Sequence, residues 1–525
     1  MEIELKLALP PGTAARLRAH PALAGVVQGR ARRQRLVATY YDTSDARLAA
    51  RGIALRVRRE GRRWVQTLKG PPTPASGGGL AARPEHDWPL GAGARRPAPD
   101  LARLDEVPLG KTVARLGRKQ PLVPLFATEF ERTTLPLAFP DGTTALAAID
   151  VGQVRTLGAR RRRAAIGELE LELGEGDPAR LFELAQVLAD GPGLRLQLRS
   201  KAERGYALAF ATTRTPVHAE AIDYPRDAVL ADALAAIVRS CLRQVEGNLD
   251  SVARNDDPEW IHQLRVGVRR LRSALALARP LLADGAVEPL AADLRWLAGA
   301  LGPARDLDVF ATQTWPAVLG AAAQAPAAAA GVDAALAVLG ERLAARLPKA
   351  RARARSAMRS PRVQRVLLAG GALAARMPAL VRAADAAEGH GPEARDAARK
   401  ALARRHRRLL RAGEGLAACT PEERHAFRIA AKKLRYATEF FAPCFPAGRS
   451  RRYRKALAAL QDVLGRLNDA AVAASLAADL ASPDPRAVPA AALVAGWAAA
   501  RVQAEAPALD RAWTRFRRAA AFWSP

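Results

Sequence analysis

The sequence predicts an α+β protein of two domains, a strand-rich half followed by a wholly helical one. Three observations carry that reading. Up to about residue 213, apolar and charged residues alternate with period two in short runs parted by Gly and Pro clusters. From about Asp227 the spacing becomes that of long Ala/Leu/Arg helices. Within the second half, two segments align without gaps at an offset of 163 residues, the mark of an internal duplication. The stretch TTRTPVHAEAIDYP reads as a linker. The expected domains are therefore 1–213 and 227–525, with 214–226 between them.

At 525 residues the chain is too long for one core. With 49% hydrophobic and 26% charged residues it is globular rather than disordered. A net charge of +30 favours a polyanionic partner: nucleic acid, an anionic membrane surface or polyphosphate. The excess is not one basic tail, because residues 1–222 carry 35 Lys+Arg against 23 Asp+Glu and the remainder 47 against 29. A genome-wide bias could supply some of the arginine. Cys241, Cys419 and Cys444 have no metal-type spacing and suggest a reducing compartment. A charged strand at residue 2 leaves no place for a signal peptide. The most apolar late run, Ala487 to Ala500, contains Pro489, stops at Arg501 and is shorter than the roughly 20 residues a bilayer needs. A cytoplasmic location without a membrane partner is expected.

The first strand, MEIELKLAL, puts Glu2, Glu4 and Lys6 on one face and Ile3, Leu5 and Leu7 on the other. One such face is usually solvated, but here the pattern recurs. Arg56 and Arg58 share a face in ALRVRR, Thr67 and Lys69 in VQTLK, Thr128 and Arg132 in TEFER, and Glu168, Glu170 and Glu172 in GELELEL. The run LRLQLRSK does the same with Arg195, Gln197, Arg199 and Lys201. A sheet curled into a barrel would turn these faces inward, under covering helices. Glu2, Glu4, Glu170 and Glu172 could then hold a hard cation such as Mg²⁺ or Mn²⁺. Arg56, Arg58, Lys69, Arg132 and Lys201 could hold phosphate oxygens. Both sets together are the equipment of phosphoryl transfer. His20 and His86 lack a placed partner and read as surface residues rather than bases.

EIELK resembles the ExExK signature of the CYTH family, the triphosphate tunnel metalloenzymes. The resemblance continues in order through YYDTSDARL, LRVRR, TLK, RPE, TEFER, AID, ELELEL and SKAERGY, over about 200 residues. It implies an eight-stranded antiparallel tunnel that binds triphosphate and a divalent metal. It assigns Glu2, Glu4, Glu170 and Glu172 to the metal, with Asp150 and Glu168 as acidic neighbours. It assigns Lys6, Arg56, Arg58, Lys69, Arg132, Lys201 and Arg204 to the phosphates, and makes Glu85 a second acidic wall residue. Its implied reaction is attack of metal-activated water on a terminal phosphorus.

The duplicated segments are DPEWIHQLRVGVRRLRSA from Asp257 and TPEERHAFRIAAKKLRYA from Thr420. Each begins with an N-cap residue, Pro at the first helical position and then Glu. Thr420 and Glu423 also make a capping-box pattern. His262 and His425 each fall five residues after the cap. Arg265, Arg269, Arg270 and Arg272 follow one; Arg428, Lys432, Lys433 and Arg435 follow the other, at the same steps. At roughly 100° per residue, steps 0, 3, 7 and 10 lie in one stripe, with Leu264, Leu271 and Leu275 nearly opposite. The same offset aligns LGPARDLDV with LGRLNDAAV, so Gly302 meets Gly465 and Asp306 meets Asp469. The Ala-rich residues 320–350 keep a helical spacing.

HxxRxxxKKLR in two copies resembles the CHAD domain, a helical module named for its histidines. This implies two pseudo-symmetric four-helix bundles with a basic groove for inorganic polyphosphate, lined by the His and cation sets just named and extended by RRYRK (451–455). A histidine beside phosphate binds more tightly when protonated, so binding should weaken at higher pH. Neither copy has zinc-ligand spacing. The function expected is metal-dependent hydrolysis of inorganic triphosphate to phosphate and pyrophosphate, with polyphosphate held by the helical half. The alternatives are a non-catalytic polyphosphate adaptor, sited for instance at granules, and a tunnel acting on thiamine triphosphate or ATP. Specific nucleic-acid binding is not expected, because aromatics are only 5% and no stacking platform is visible.

Overall fold

The computed structural model describes the chain except residues 94, 159–160, 191–192, 211–213, 283–284, 325–330, 385–392, 417–418 and 525. Part of the Ala-rich 320–350 reading and the last three residues of the expected first domain lie outside the described residues. The chain forms two compact units, Met1–Thr215 with Gln364–Arg376, and Pro216–Val363 with Met377–Pro525.

The first unit is one antiparallel sheet of ten strands. These are β1 (Glu2–Ala8), β2 (Arg32–Asp42), β3 (Ala54–Glu60), β4 (Arg63–Lys69), β5 (Leu80–Arg83), β6 (Glu85–Ala92), β7 (Val123–Ala138), β8 (Thr144–Thr156), β9 (Arg163–Glu175) and β10 (Arg195–Leu196). Eight form the wall, in the order β1-β9-β8-β7-β2-β3-β4-β6, while β10 adds two residues beside β1. Closure comes from β5 and β6, which are one strand interrupted at Pro84. Residues before the proline pair with β1 (Leu80 opposite Leu5) and residues after it with β4 (Glu85 opposite Lys69). Proline cannot donate to a ladder, so it suits the point where a strand changes partners.

Alternation decides what each face buries. Leu5 and Leu7 of β1 and Leu169 and Leu171 of β9 are inaccessible to solvent and pack with Leu181, Phe182 and Leu188 of the covering helix Ala179–Ala189. On β3 and β4, Leu55, Val57 and Leu68 pack with Val113 and Ala114 of helix Pro108–Lys119. The charged faces point the other way.

LRLQLRSK departs from the expected strand. Only Arg195 and Leu196 pair, and Lys201 opens helix Lys201–Phe210. A capping box turns the chain: the Ser200 amide donates to Glu203 at 2.8 Å, and the Glu203 amide to the Ser200 hydroxyl at 3.2 Å.

The second unit is helical. The offset of 163 residues seen around the histidines carries helix Leu230–Val252 onto Ala394–Ala412, Pro258–Ala278 onto Pro421–Phe440, and Glu288–Val309 into Ala447–Ala481. Val332–Met358 and Val488–Arg517 complete the two quartets. The segment expected to be a linker is pinned within this unit. Val217 exchanges hydrogen bonds with the Asn248 amide at 3.0 and 2.9 Å, and the Tyr224 hydroxyl donates to Phe440 O at 2.8 Å. The apolar run from Ala487, taken above as too short for a bilayer, opens a 30-residue helix. By length and composition, Pro485–Arg517 is the one stretch among the described residues able to cross a membrane; here Val494, Leu509, Trp513 and Phe516 are buried in the unit.

Helix Pro421–Phe440 has the full capping box expected from sequence, with Thr420 Oγ1 accepting from the Glu423 amide at 3.2 Å and Glu423 from the Thr420 amide at 2.8 Å. Thr420→Ala should cost about 1 kcal/mol, read as a lower denaturation midpoint with an unchanged denaturant slope.

Candidate functional site

The sheet encloses a cavity of about 180 Å³. Its walls carry Glu2, Glu4 and Lys6 from β1, Arg56 and Arg58 from β3, Lys69 from β4, Glu85 from β6, Arg132 from β7, Glu170 and Glu172 from β9, and Lys201. The period-two faces thus converge on one space. The lining also includes Tyr40, Arg83, Asp87, Phe130 and Ser200. Asp87 follows Glu85 by two on the same strand, and Thr67 donates to it at 2.5 Å. Tyr40 escaped the charge pattern because its neighbours on that face of β2, Leu36 and Ala38, are apolar. It stacks on Phe126 at 4.6 Å and hydrogen-bonds Arg56.

Acids and cations divide the cavity into two zones. In the first, Glu4 stands directly across β1 and β9 from Glu172, and Lys69 contacts Glu2 at 2.6 Å and Glu85 at 2.9 Å. Burial raises the Glu172 carboxyl above its ordinary range, and the carboxylates of Glu2, Glu4 and Glu85 add to the effect against Lys69. Carboxylates crowded until they resist ionising together would be relieved by a cation, and an all-oxygen donor set suits Mg²⁺ or Mn²⁺. Glu2, Glu4 and Glu172 therefore fit the metal expected for the tunnel.

Deeper, Asp150, Glu168 and Glu170 lie close enough to share an ion, their nearest oxygens within 4.8 Å of one another. Protein cations already bridge them. Lys201 Nζ is 2.6 Å from Asp150 and 2.9 Å from Glu170, and also pairs with Glu168. Arg132 contacts Asp150 at 2.6 Å and pairs with Glu170, while Arg204 pairs with Glu168. Asp150 and Glu168 are fully buried and are not part of the cavity wall. In this structure they pair with Lys201, Arg132 and Arg204. Arg204 likewise holds Glu168 rather than facing the cavity. Glu170 belongs to both zones, since Lys6 reaches it at 3.0 Å and Glu4 at 2.8 Å.

Charge states follow. Burial opposes the Lys201 ammonium, but Glu170, Asp150 and Glu168 outweigh it and hold the group well above its usual range. Burial likewise opposes the Glu170 carboxylate, and Lys201, Lys6 and Arg132 overcome it, keeping it ionised. Arg58 is shifted the other way, first by burial and then by the Arg56 guanidinium. Arg56, Arg58 and Arg132 form a cationic wall whose mutual repulsion an anion would relieve.

In the helical unit the two duplicated helices pack together and their stripes meet. Lys432 is pushed down to about 7, by burial and then by Arg269 and Arg428. His262 is pushed down to about 4, by burial and then by Arg305. Asp306 lies by Arg265 and Asp469, and Arg428 by Asp469. Gly302 makes room: a Cβ there would stand 3.1 Å from Arg265 Nη1, which donates to Ala298 O at 3.2 Å.

Not every expected member joins. Arg270 is 1% exposed, donates to Gln244 at 2.8 Å and lies over the Phe440 ring, so it is a core cation and not part of the groove. Arg272 and Lys433 sit with Arg295, Arg405 and Arg408, away from the His262 cluster. Arg435 is paired with Glu439 at 2.8 Å, and His425 is exposed. In RRYRK, Tyr453 is buried against His406, 2.8 Å from its Nδ1.

A closed antiparallel tunnel with facing acids and cations, followed by a duplicated helical unit with a cluster of facing cations, defines the class. Residues 1–206 match the CYTH domain and residues 236–478 the CHAD domain. The chain is a CYTH domain followed by a CHAD domain and belongs to these families. It is 34% identical to the CHAD domain of the plant Ricinus communis, with a TM-score of 0.50, over 59% of this chain and 99% of that one. It is 32% identical over 209 residues to an inorganic triphosphatase of Haemophilus influenzae, covering 39% of this chain and 54% of the relative. The chain thus spans about half the length of that curated relative. It also resembles PptA from Streptomyces chartreusis at 20% identity and a TM-score of 0.40, over 55% of this chain and all of that one.

Proposed function

We propose that the tunnel hydrolyses inorganic triphosphate to phosphate and pyrophosphate with Mg²⁺ or Mn²⁺, and that the helical domain binds polyphosphate. The observation that carries the reading is the division of one cavity into the Glu2/Glu4/Glu172 zone and the Arg56/Arg58/Arg132 wall. The metal, held by the carboxylates, would polarise the phosphoryl group and organise the oxygens around it. Arg56, Arg58 and Arg132 hold non-bridging oxygens and neutralise charge developing on the leaving pyrophosphate. Lys6 and Lys69 connect the zones, since each contacts a carboxylate of the metal set. Phe130 and Tyr40, the aromatic lining residues, are almost fully buried by their neighbours, leaving no open face for a base or thiazole ring to stack on. The resemblance to the Haemophilus influenzae protein supports the same substrate.

The test is phosphate release from tripolyphosphate, ATP, thiamine triphosphate and long polyphosphate, each with Mg²⁺, Mn²⁺ or excess chelator. Tripolyphosphate should be turned over fastest, and chelator should stop it. No release with either metal across a broad pH range would sink the proposal.

Polyphosphate binding should weaken as pH rises through about 7. The groove's carrier of that dependence is Lys432, charged below and neutral above the value to which its neighbours push it. In the free groove His262 is held down to about 4 by burial and then by Arg305. Titration calorimetry between pH 6 and 8 would show the trend; Lys432→Arg should flatten it while binding persists.

A further inference from the structure

A second cationic groove lies in the helical unit, on a different face of helix Glu288–Val309 from Arg305. It has a volume of about 680 Å³. One wall is helix Val332–Met358, which presents Arg342, Arg346, Lys349 and Arg353 to it. These fall at steps of four, three and four, so they form one continuous stripe about 16 Å long. The facing wall, Gly299, Ala300 and Pro303, is small and leaves the stripe uncovered. Like charges at this spacing oppose helix formation, and the helix has no acidic residue between Arg342 and Arg353 to offset them. Arg342 alone has a carboxylate partner, Asp484 at 3.4 Å. Among the described residues, Arg346, Lys349 and Arg353 have none, and all three are exposed. One lining carboxylate, Asp479, is present.

We infer that this groove is a second polyanion site, taking a segment of a linear inorganic polyphosphate chain independently of the His262 cluster. It rests on the proposed polyphosphate-binding role. Three uncompensated cations in register along a shallow trough match a flexible chain of closely spaced phosphates. Nucleic acid is the less suitable occupant, because none of the lining residues is aromatic and bases would have nothing to stack on.

The experiment uses the full chain and inorganic polyphosphate of defined length, titrated by calorimetry at low and moderate salt. Wild type should bind with two classes of site. The exposed triple variant R346E/K349E/R353E should lose one class, at least tenfold in affinity, and with it much of the salt dependence. K432E should lose the other class and leave the groove intact. If the triple variant keeps both classes, the groove assignment falls while the first site stands. If wild type shows a single class that K432E abolishes, the groove again falls alone. If wild type binds no polyphosphate at low salt, both fall. If single-stranded DNA, but not polyphosphate, loses affinity in the triple variant, the groove belongs to nucleic acid and the inference is overturned. Circular dichroism of each variant checks that the helices persist.

Discussion

Lys201→Met is expected to abolish triphosphate hydrolysis and to destabilise the first unit by about 3–5 kcal/mol. The ammonium is fully buried and touches Asp150, Glu168 and Glu170. Removing it leaves three largely buried carboxylates with only Arg132, Arg204 and Lys6 to balance them, at the edge of the cavity. Repulsion should push Arg132 and Glu170 out of line and open the floor of the cavity. The measurements are phosphate release and the denaturation midpoint of the same preparation. If stability were unchanged and only activity fell, Lys201 would be a substrate contact and not the keystone of this cluster.

Glu4→Gln should act differently. The amide keeps the shape of the carboxyl but removes one charge from the proposed metal set, where Glu4 faces Glu172 across the sheet. Metal participation of this kind is worth several kcal/mol, so turnover should fall at least about 100-fold. Stability should fall less than in Lys201→Met, because Lys6 loses its charge pair with Glu4 but keeps Glu170 at 3.0 Å, and one source of carboxylate crowding is gone. Part of the loss should return at high metal concentration. Full activity in Glu4→Gln would remove Glu4 from the site.

These two residues also show what was legible in the sequence. Glu4 was, because a strand with a charged face repeats its logic residue by residue, and five such strands can satisfy one another only around a shared interior. Lys201 was assigned to the tunnel for a wrong local reason. The alternation in LRLQLRSK reads as strand, but Ser200 and Glu203 form a capping box that starts a helix. The signal S-x-x-E was present and was outweighed by the period-two pattern. The pairing of Asp150 and Glu168 with Lys201, Arg132 and Arg204 was not legible, since strand phase gives the face and not which cation arrives from another element. Arg270 failed similarly: it flanks the His262 stripe, and the Gln244 helix and Phe440 that cover it come from elsewhere in the chain. The duplication, by contrast, needed no tertiary information, and the same offset carries matching helices onto one another.

That duplication bears on direction. A linear phosphate chain reads the same from either end, unlike a nucleic acid, whose sugars give it a polarity. In the His262 groove Arg265 has its counterpart in Arg428, Arg269 in Lys432 and Asp306 in Asp469, although Arg305 falls opposite Asn468, so a chain entering from either side meets a similar order of charges. The polyphosphate proposed for this groove would therefore have two nearly equivalent ways to lie in it. Doubling the bound arrangements is worth about 0.4 kcal/mol. More consequentially, a chain could reverse, slip and re-engage without leaving, so the groove would retain long polymers while holding no single phosphate in a fixed position.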